Sequence, residues 1–133
     1  MTLQEIHHRF FSFRNGIIAK ALHDGGLPHK RIFGLQLPQL AAIARETGFE
    51  ETLSETLWQE KDCRESRLLS IYLADPSLIS KEKALEKAFD VLSREEADIL
   101  AWRLLSKTPY AATLPDELQG YIKEALERNL AAS

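Results

Sequence analysis

The sequence predicts an all-α fold, a short right-handed solenoid of about three helix pairs. Apolar residues recur at helical spacing along most of the chain, and no segment alternates apolar and polar residues as a strand would. A weak repeat accompanies the helices. Leu57-Trp58, a charged link, an apolar helix and Pro76 recur about 33 to 34 residues later as Val91-Leu92 and Pro109, an interval that suits stacked helix pairs.

Glycine and proline residues divide the predicted helices in order along the chain. Gly25-Gly26 and Gly48 indicate helix ends, because glycine adopts the conformations that terminate a helix at little cost. Pro38 and Pro115 fit the first turn of a helix, where the missing N–H has no helical partner to lose. The predicted helices span residues 2–24, 38–47, 51–60, 63–74, 80–91, 94–107 and 115–131, with a short helical or turn segment at 28–34 and fraying at 131–133.

Length and composition predict a single domain over residues 1–133 without a membrane partner. A chain of 133 residues can bury one core, and it contains no apolar run of roughly eighteen residues that would span a bilayer. Residues 1–16 lack the continuous apolar core of a secretory signal. Cys63 is the single cysteine, which excludes an internal disulfide and favours a reducing compartment. We therefore expect a cytoplasmic protein.

The charges are unevenly distributed along the chain, although the formal net charge is only −3. Residues 1–48 hold six Lys or Arg against three Asp or Glu, whereas the remainder holds eleven against seventeen. One end could face an anionic partner while the other repels it. The alternative is that both halves carry ordinary solvated helix surfaces.

Three short motifs between Phe33 and Pro76 resemble those of a known family. They are Phe-Gly-Leu-x-x-Pro at 33–38, the pair Leu57-Trp58 and the pair Arg64-Glu65. The segment resembles the HEAT-like helical-repeat family of DNA alkylation repair proteins, whose best-known members are alkylpurine DNA glycosylases. The resemblance implies a HEAT-like superhelix that binds the backbone of double-stranded DNA on its concave face and excises alkylated purines without a cofactor.

The resemblance also implies a catalytic carboxylate at Asp98, on the helix that follows the capping-box pair Ser93 and Glu96. An alkylated purine is already a cationic leaving group, so a carboxylate beside the anomeric carbon and a positioned water suffice. The tryptophans that flank this acid in the family have no counterpart immediately before Asp98, and Trp102 lies one turn later. The alternative is a solvated or salt-bridged aspartate.

Five cations form the predicted DNA-binding set. Arg64 and Arg67 are three residues apart near a predicted helix N-terminus, a spacing that would hold a phosphate. The alternative is an intramolecular salt bridge from either arginine to a nearby acid, with three candidates: Glu60, Asp62 and Glu95. The set is completed by three further residues, Lys30, Arg31 and Arg94.

The sequence predicts no metal site. His7 and His8 are adjacent on a helix, so their rings point about 100° apart and cannot share a metal ion. Asp62 has the character of an N-cap, which would lower the pKa of the Cys63 thiol, but a semi-buried structural cysteine is the competing interpretation.

Two further functional hypotheses follow from the short length of the predicted superhelix. The groove that contacts DNA in longer relatives would be incomplete here, so the protein could instead be a non-catalytic scaffold that binds a protein partner. It could also form a homo-oligomer that covers an apolar stack end around Leu118, Tyr121 and Leu126.

Overall fold

The computed structural model describes residues 1–132 and confirms the predicted all-α class. These residues form α-helices, short 3₁₀ helices and loops, and they contain no strand. None of the described helices is both long and apolar enough to cross a membrane. The α-helices are α1 (Leu3–Ser12), α2 (Gly16–Asp24), α3 (Leu37–Thr47), α4 (Glu51–Trp58), α5 (Arg64–Leu73), α6 (Lys81–Phe89), α7 (Arg94–Arg103) and α8 (Gly120–Ala132), and the 3₁₀ helices are Leu105–Lys107 and Ala111–Glu117.

The chain groups into two compact units, Met1–Ala74 and Asp75–Ser133. In the first unit, α5 is the central helix, because every one of its residues is buried. It packs against α3 and α4. Ser54 and Ser70 join α4 to α5 reciprocally: each hydroxyl donates to the other residue's carbonyl oxygen, at 2.7 and 2.5 Å. Small side chains at this position allow the two backbones to approach closely.

The prediction of one continuous helix over residues 2–24 is wrong, because the helix is interrupted between α1 and α2. Asn15 caps α2, its side-chain oxygen accepting from the backbone N–H groups of Ile17 and Ile18. Thr2 and Glu5 form a capping box that begins α1, which the sequence analysis did not identify. Capping by short polar side chains therefore fixes the start of each of these two helices.

Residues 28–34 do not form the predicted helix or simple turn. The backbone of Arg31 instead makes an isolated parallel bridge with Cys63: Arg31 N–H donates to the Asp62 carbonyl at 2.8 Å, and Arg64 N–H donates to the Arg31 carbonyl at 3.1 Å. This bridge fixes the extended segment against the start of α5. A single pair of this kind is too short to appear as a strand pattern in the sequence.

In the second unit, α7 packs against α8 around a core of small and branched apolar residues. Ser93 caps α7 as predicted, accepting from the Glu96 backbone N–H at 3.1 Å. The Glu96 carboxylate accepts from the Leu92 N–H. The helix predicted over 115–131 begins only at Gly120, and Pro115 lies inside the preceding 3₁₀ helix.

Fraying was predicted for residues 131–133, of which the structure describes the first two. Ala131 and Ala132 are exposed and continue α8, and Ser133 lies outside the described residues. The predicted exposed stack end comprised Leu118, Tyr121 and Leu126. Leu118 and Leu126 are buried within the second unit, which corrects the prediction for these two side chains, whereas Tyr121 is half-buried.

Candidate functional site

The carboxylate of Glu65 lies at the centre of a buried polar cluster in the first unit. Its side chain has no exposed surface. One oxygen, Oε1, accepts from the backbone N–H of Phe33 at 2.9 Å, and the other, Oε2, accepts from Gly34 and Leu35 at 3.0 and 3.3 Å. Successive backbone N–H groups that converge in this way form a concave anion site. Here the anion is supplied by the protein itself.

Gly34 is required at the centre of this turn. Its φ is +89°, a conformation that L side chains rarely adopt. A Cβ at this position would lie 2.3 Å from the Asn15 carbonyl oxygen and 2.9 Å from the Ala19 nitrogen. The Phe-Gly-Leu sequence therefore holds the turn close to the start of α2 while it presents three N–H groups to Glu65.

Arg64 neutralises the buried Glu65 carboxylate. Its Nη1 atom lies 2.7 Å from Glu65 Oε2 and donates to the Leu35 carbonyl oxygen at 2.8 Å, and the residue is 3% exposed. We call this group, Phe33, Gly34, Leu35, Arg64 and Glu65, the Glu65 clamp. A buried charge pair persists only when further hydrogen bonds satisfy both ions, as they do here.

Arg67 is also internal to the first unit. It has no exposed surface, its guanidinium carbon lies 3.5 Å from the centroid of the Trp58 ring, and Nη1 donates to the Trp58 carbonyl at 2.8 Å. Trp58 is therefore a stacking platform for Arg67. A phosphate ligand needs an accessible guanidinium group, so the structure does not place Arg64 or Arg67 where DNA could reach them, and it corrects their predicted role.

A second polar group ties α1 to the N-terminal end of α5. Glu60 Oε1 accepts from the Ser66 hydroxyl at 2.6 Å and lies 2.8 Å from Nε2 of His7. Ser66 is buried, whereas His7 is partly exposed. Glu60 therefore joins Ser66 to His7. The predicted salt bridge from Arg64 or Arg67 named Glu60, Asp62 or Glu95 as the acid, whereas Arg64 pairs with its neighbour Glu65.

Lys30 and Arg31 are exposed on the surface of the first unit. Arg31 pairs with Asp62, its Nε atom lying 3.2 Å from a carboxylate oxygen. This hydrogen bond raises the pKa of Arg31 and lowers the pKa of Asp62. The prediction that Asp62 is an N-cap is wrong, because Cys63 occupies the N-cap position of α5. Burial raises the pKa of the Cys63 thiol, which opposes thiolate chemistry.

Asp98 is engaged by two residues of α8. Its Oδ1 atom accepts from the Tyr121 hydroxyl at 2.8 Å and lies 3.2 Å from Nη2 of Arg128. Arg128 also donates to the Tyr121 hydroxyl, which raises the pKa of Arg128 together with the nearby Asp98 charge. Asp98 is thus a salt-bridged aspartate on a half-exposed surface, the alternative that the sequence analysis left open.

No protein-family profile matches this chain, and neither a curated protein nor a solved structure is significantly similar to it. The resemblance to the alkylation repair family therefore stays a prediction. Likewise, no group of three or more His, Cys, Asp or Glu in residues 1–132 is arranged to hold a metal ion.

Arg94 lies at the edge of an open groove in the second unit. The groove has a volume of about 390 Å³ and is lined mainly by apolar side chains of α6, α7 and α8 and of the link that joins α6 to α7. The Arg94 guanidinium carbon lies 4.7 Å over the centroid of the Tyr121 ring. Arg94 therefore borders a concavity to which both polar and apolar side chains contribute.

Two functional contacts were not predicted from the sequence: Glu65 as an internal anion, and Tyr121 as a hydrogen-bond partner of Asp98. A signal for Glu65 was present. An Arg-Glu pair that opens an otherwise apolar helix predicts burial, and buried charges must be paired. Tyr121 gave no such signal, because its partner is 23 residues away in sequence.

Proposed function

We propose that this protein is a non-catalytic helical-repeat scaffold that binds a protein surface. The observation that carries the proposal is the burial of Arg64 and Arg67, which support the fold and leave no accessible guanidinium pair for a phosphate. The engagement of Asp98 by Tyr121 and Arg128 adds to it, because a glycosylase carboxylate must be open to the sugar.

The sequence repeat supports HEAT-like helix pairs as the building unit. Helices α5 and α7 both begin with Arg-Glu, and their first residues, Arg64 and Arg94, are 30 residues apart. This interval is slightly shorter than the 33 to 34 residues expected from Leu57-Trp58 and Val91-Leu92. We propose a right-handed solenoid from this repeat alone, and a cytoplasmic location from the single cysteine.

The competing proposal is DNA binding with excision of alkylated purines. It would have to use the exposed cations Lys30, Arg31 and Arg94 together with Asp98. Arg31 is already paired with Asp62, which reduces the positive charge available to a phosphate. So few exposed cations support weak, salt-sensitive DNA binding at most.

A glycosylase assay separates the two proposals. The protein is incubated with duplex DNA that contains 7-methylguanine, and base release is measured beside fluorescence anisotropy of the same duplex at low and moderate salt. We expect no enzyme-dependent release. Release that Asp98→Asn abolishes would overturn the scaffold proposal. Anisotropy that falls on Lys30→Ala, without release, would instead assign DNA as the bound surface.

A further inference from the structure

The groove beside Arg94 exposes apolar side chains that a monomer would usually cover. Phe89 and Leu92 line it and are 68% and 39% exposed, although both are large apolar residues. Ala88, Ala97 and Ile122 form more buried parts of its lining. We call this surface the Arg94 groove. Exposed apolar side chains gathered in one concavity mark a binding surface more often than scattered ones do.

Arg94 gives the groove a defined electrostatic character. It is the one charged side chain among the lining residues. Its guanidinium group stacks on Tyr121 and forms no ion pair with another described residue, whereas nearby Arg128 is paired with Asp98. A complementary ligand therefore carries a large apolar side chain next to a carboxylate.

The first unit presents a segment with this chemistry. Phe49 follows the end of α3 and is 62% exposed. The next residue, Glu50, accepts from the Leu53 backbone N–H and caps α4, so this carboxylate is already engaged. Glu51 is exposed and forms no ion pair with another described residue. Glu51 is the first residue of α4 and Phe49 lies two residues before it, so the free carboxylate and the aromatic ring belong to the start of one helix.

We propose that Phe49 of one copy of this chain inserts into the Arg94 groove of a second copy, and that Glu51 pairs with Arg94 across the contact. This inference rests on the proposed scaffold function and names the chain itself as the partner. The contact joins two different surfaces, so it is heterologous and can continue from copy to copy. It is also small, so the association is weak and concentration-dependent.

A charge exchange tests the proposed ion pair. Sedimentation equilibrium up to about 1 mM protein should show reversible self-association of the wild type. Arg94→Glu and Glu51→Arg should each weaken the self-association at least about fivefold. The double variant should recover most of the lost affinity, because the exchanged charge at position 94 of one copy then pairs with the exchanged charge at position 51 of the next. Lys107→Glu is the matched control: Lys107 is exposed in the second unit outside the groove lining, and this change should leave association unaltered.

A mixing experiment tests the heterologous geometry. Phe49→Asp should remove the inserting side chain and Phe89→Asp should damage the groove, so each variant alone should remain at the monomer mass of 15.1 kDa. An equimolar mixture retains one intact insert and one intact groove and should form a 1:1 complex of twice that mass. Both positions are exposed, so both variants should fold, and circular dichroism checks this.

Each outcome decides the proposal. The proposal is overturned if the wild type stays monomeric up to about 1 mM. It is also overturned if association survives Phe49→Asp and Arg94→Glu, or if the mixture of the two variants stays monomeric. A monomer without glycosylase activity removes self-association and leaves the scaffold proposal intact. If the protein has glycosylase activity and the double variant recovers association as predicted, the scaffold proposal is removed and the contact between copies stands.

Discussion

The backbone N–H of Gly34 donates to the buried carboxylate of Glu65 at 3.0 Å, and this bond joins two of the motifs that the sequence analysis singled out. The turn at residues 33–35 supplies the donors, and the Arg-Glu pair at the start of α5 supplies the acceptor and its counterion. The motifs therefore have a structural role that needs no nucleic acid. They hold the first unit around α5.

Glu65→Gln should destabilise the protein by about 2–4 kcal/mol, because it removes the buried counterion of Arg64 and weakens the acceptor for three N–H groups. Urea unfolding measures this loss. Glu46→Gln is the control, since the pair between Glu46 and Arg9 is partly solvated, and this change should destabilise the protein much less than Glu65→Gln does. Equal losses of stability in the two variants would contradict a special role for the Glu65 clamp.

Gly34→Ala should cost about 2–4 kcal/mol, since the new Cβ combines a positive φ with contact against backbone atoms of Asn15 and Ala19 that cannot easily move. Gly16→Ala gives the comparison. Nothing lies within 4 Å of a Cβ at Gly16, and its φ is not in the left-handed region, so this variant should be neutral or stabilised. Thermal unfolding that ranks the two variants in the opposite order would refute this account of the turn.

Arg67→Lys should destabilise the protein by about 1–3 kcal/mol although it keeps the charge. Lysine lacks the planar guanidinium group that stacks on Trp58 and donates to its carbonyl oxygen. The change should also alter the emission of Trp58, measured in a Trp102→Phe background so that one indole reports. An unchanged midpoint and an unchanged spectrum would show that the stack contributes nothing.

These contacts define which features the sequence could predict. The all-α class followed from helical periodicity, and caps such as Ser93 and Gly48 followed from local chemistry. The break after α1 also had a local signal, since Asn15 is a favourable N-cap. The partner of Arg64 could not be chosen among several nearby acids, because burial decides between them and depends on how α5 packs.

The surface pairs should make stability fall at acidic pH. Hydrogen bonds from Arg9 and Arg31 lower the pKa of Glu46 and Asp62 respectively. A carboxyl group whose pKa is lowered on folding contributes stability above its unfolded pKa of about 4, and this contribution is lost as the pH falls through the folded pKa. NMR titration should place both groups below their ordinary values. Arg31→Gln should return the pKa of Asp62 to its ordinary value and leave the pKa of Glu46 unchanged.

Hydrogen exchange at the amide of Gly34 reports directly on the internal role of the Arg64 and Glu65 pair. If the pair holds the turn, this N–H should exchange at least about 100-fold more slowly than an unfolded amide, and Glu65→Gln should remove protection at residues 33–35 before the core of α5 is affected. Exchange at the unprotected rate in the native protein, or protection that Glu65→Gln leaves unchanged, would contradict it.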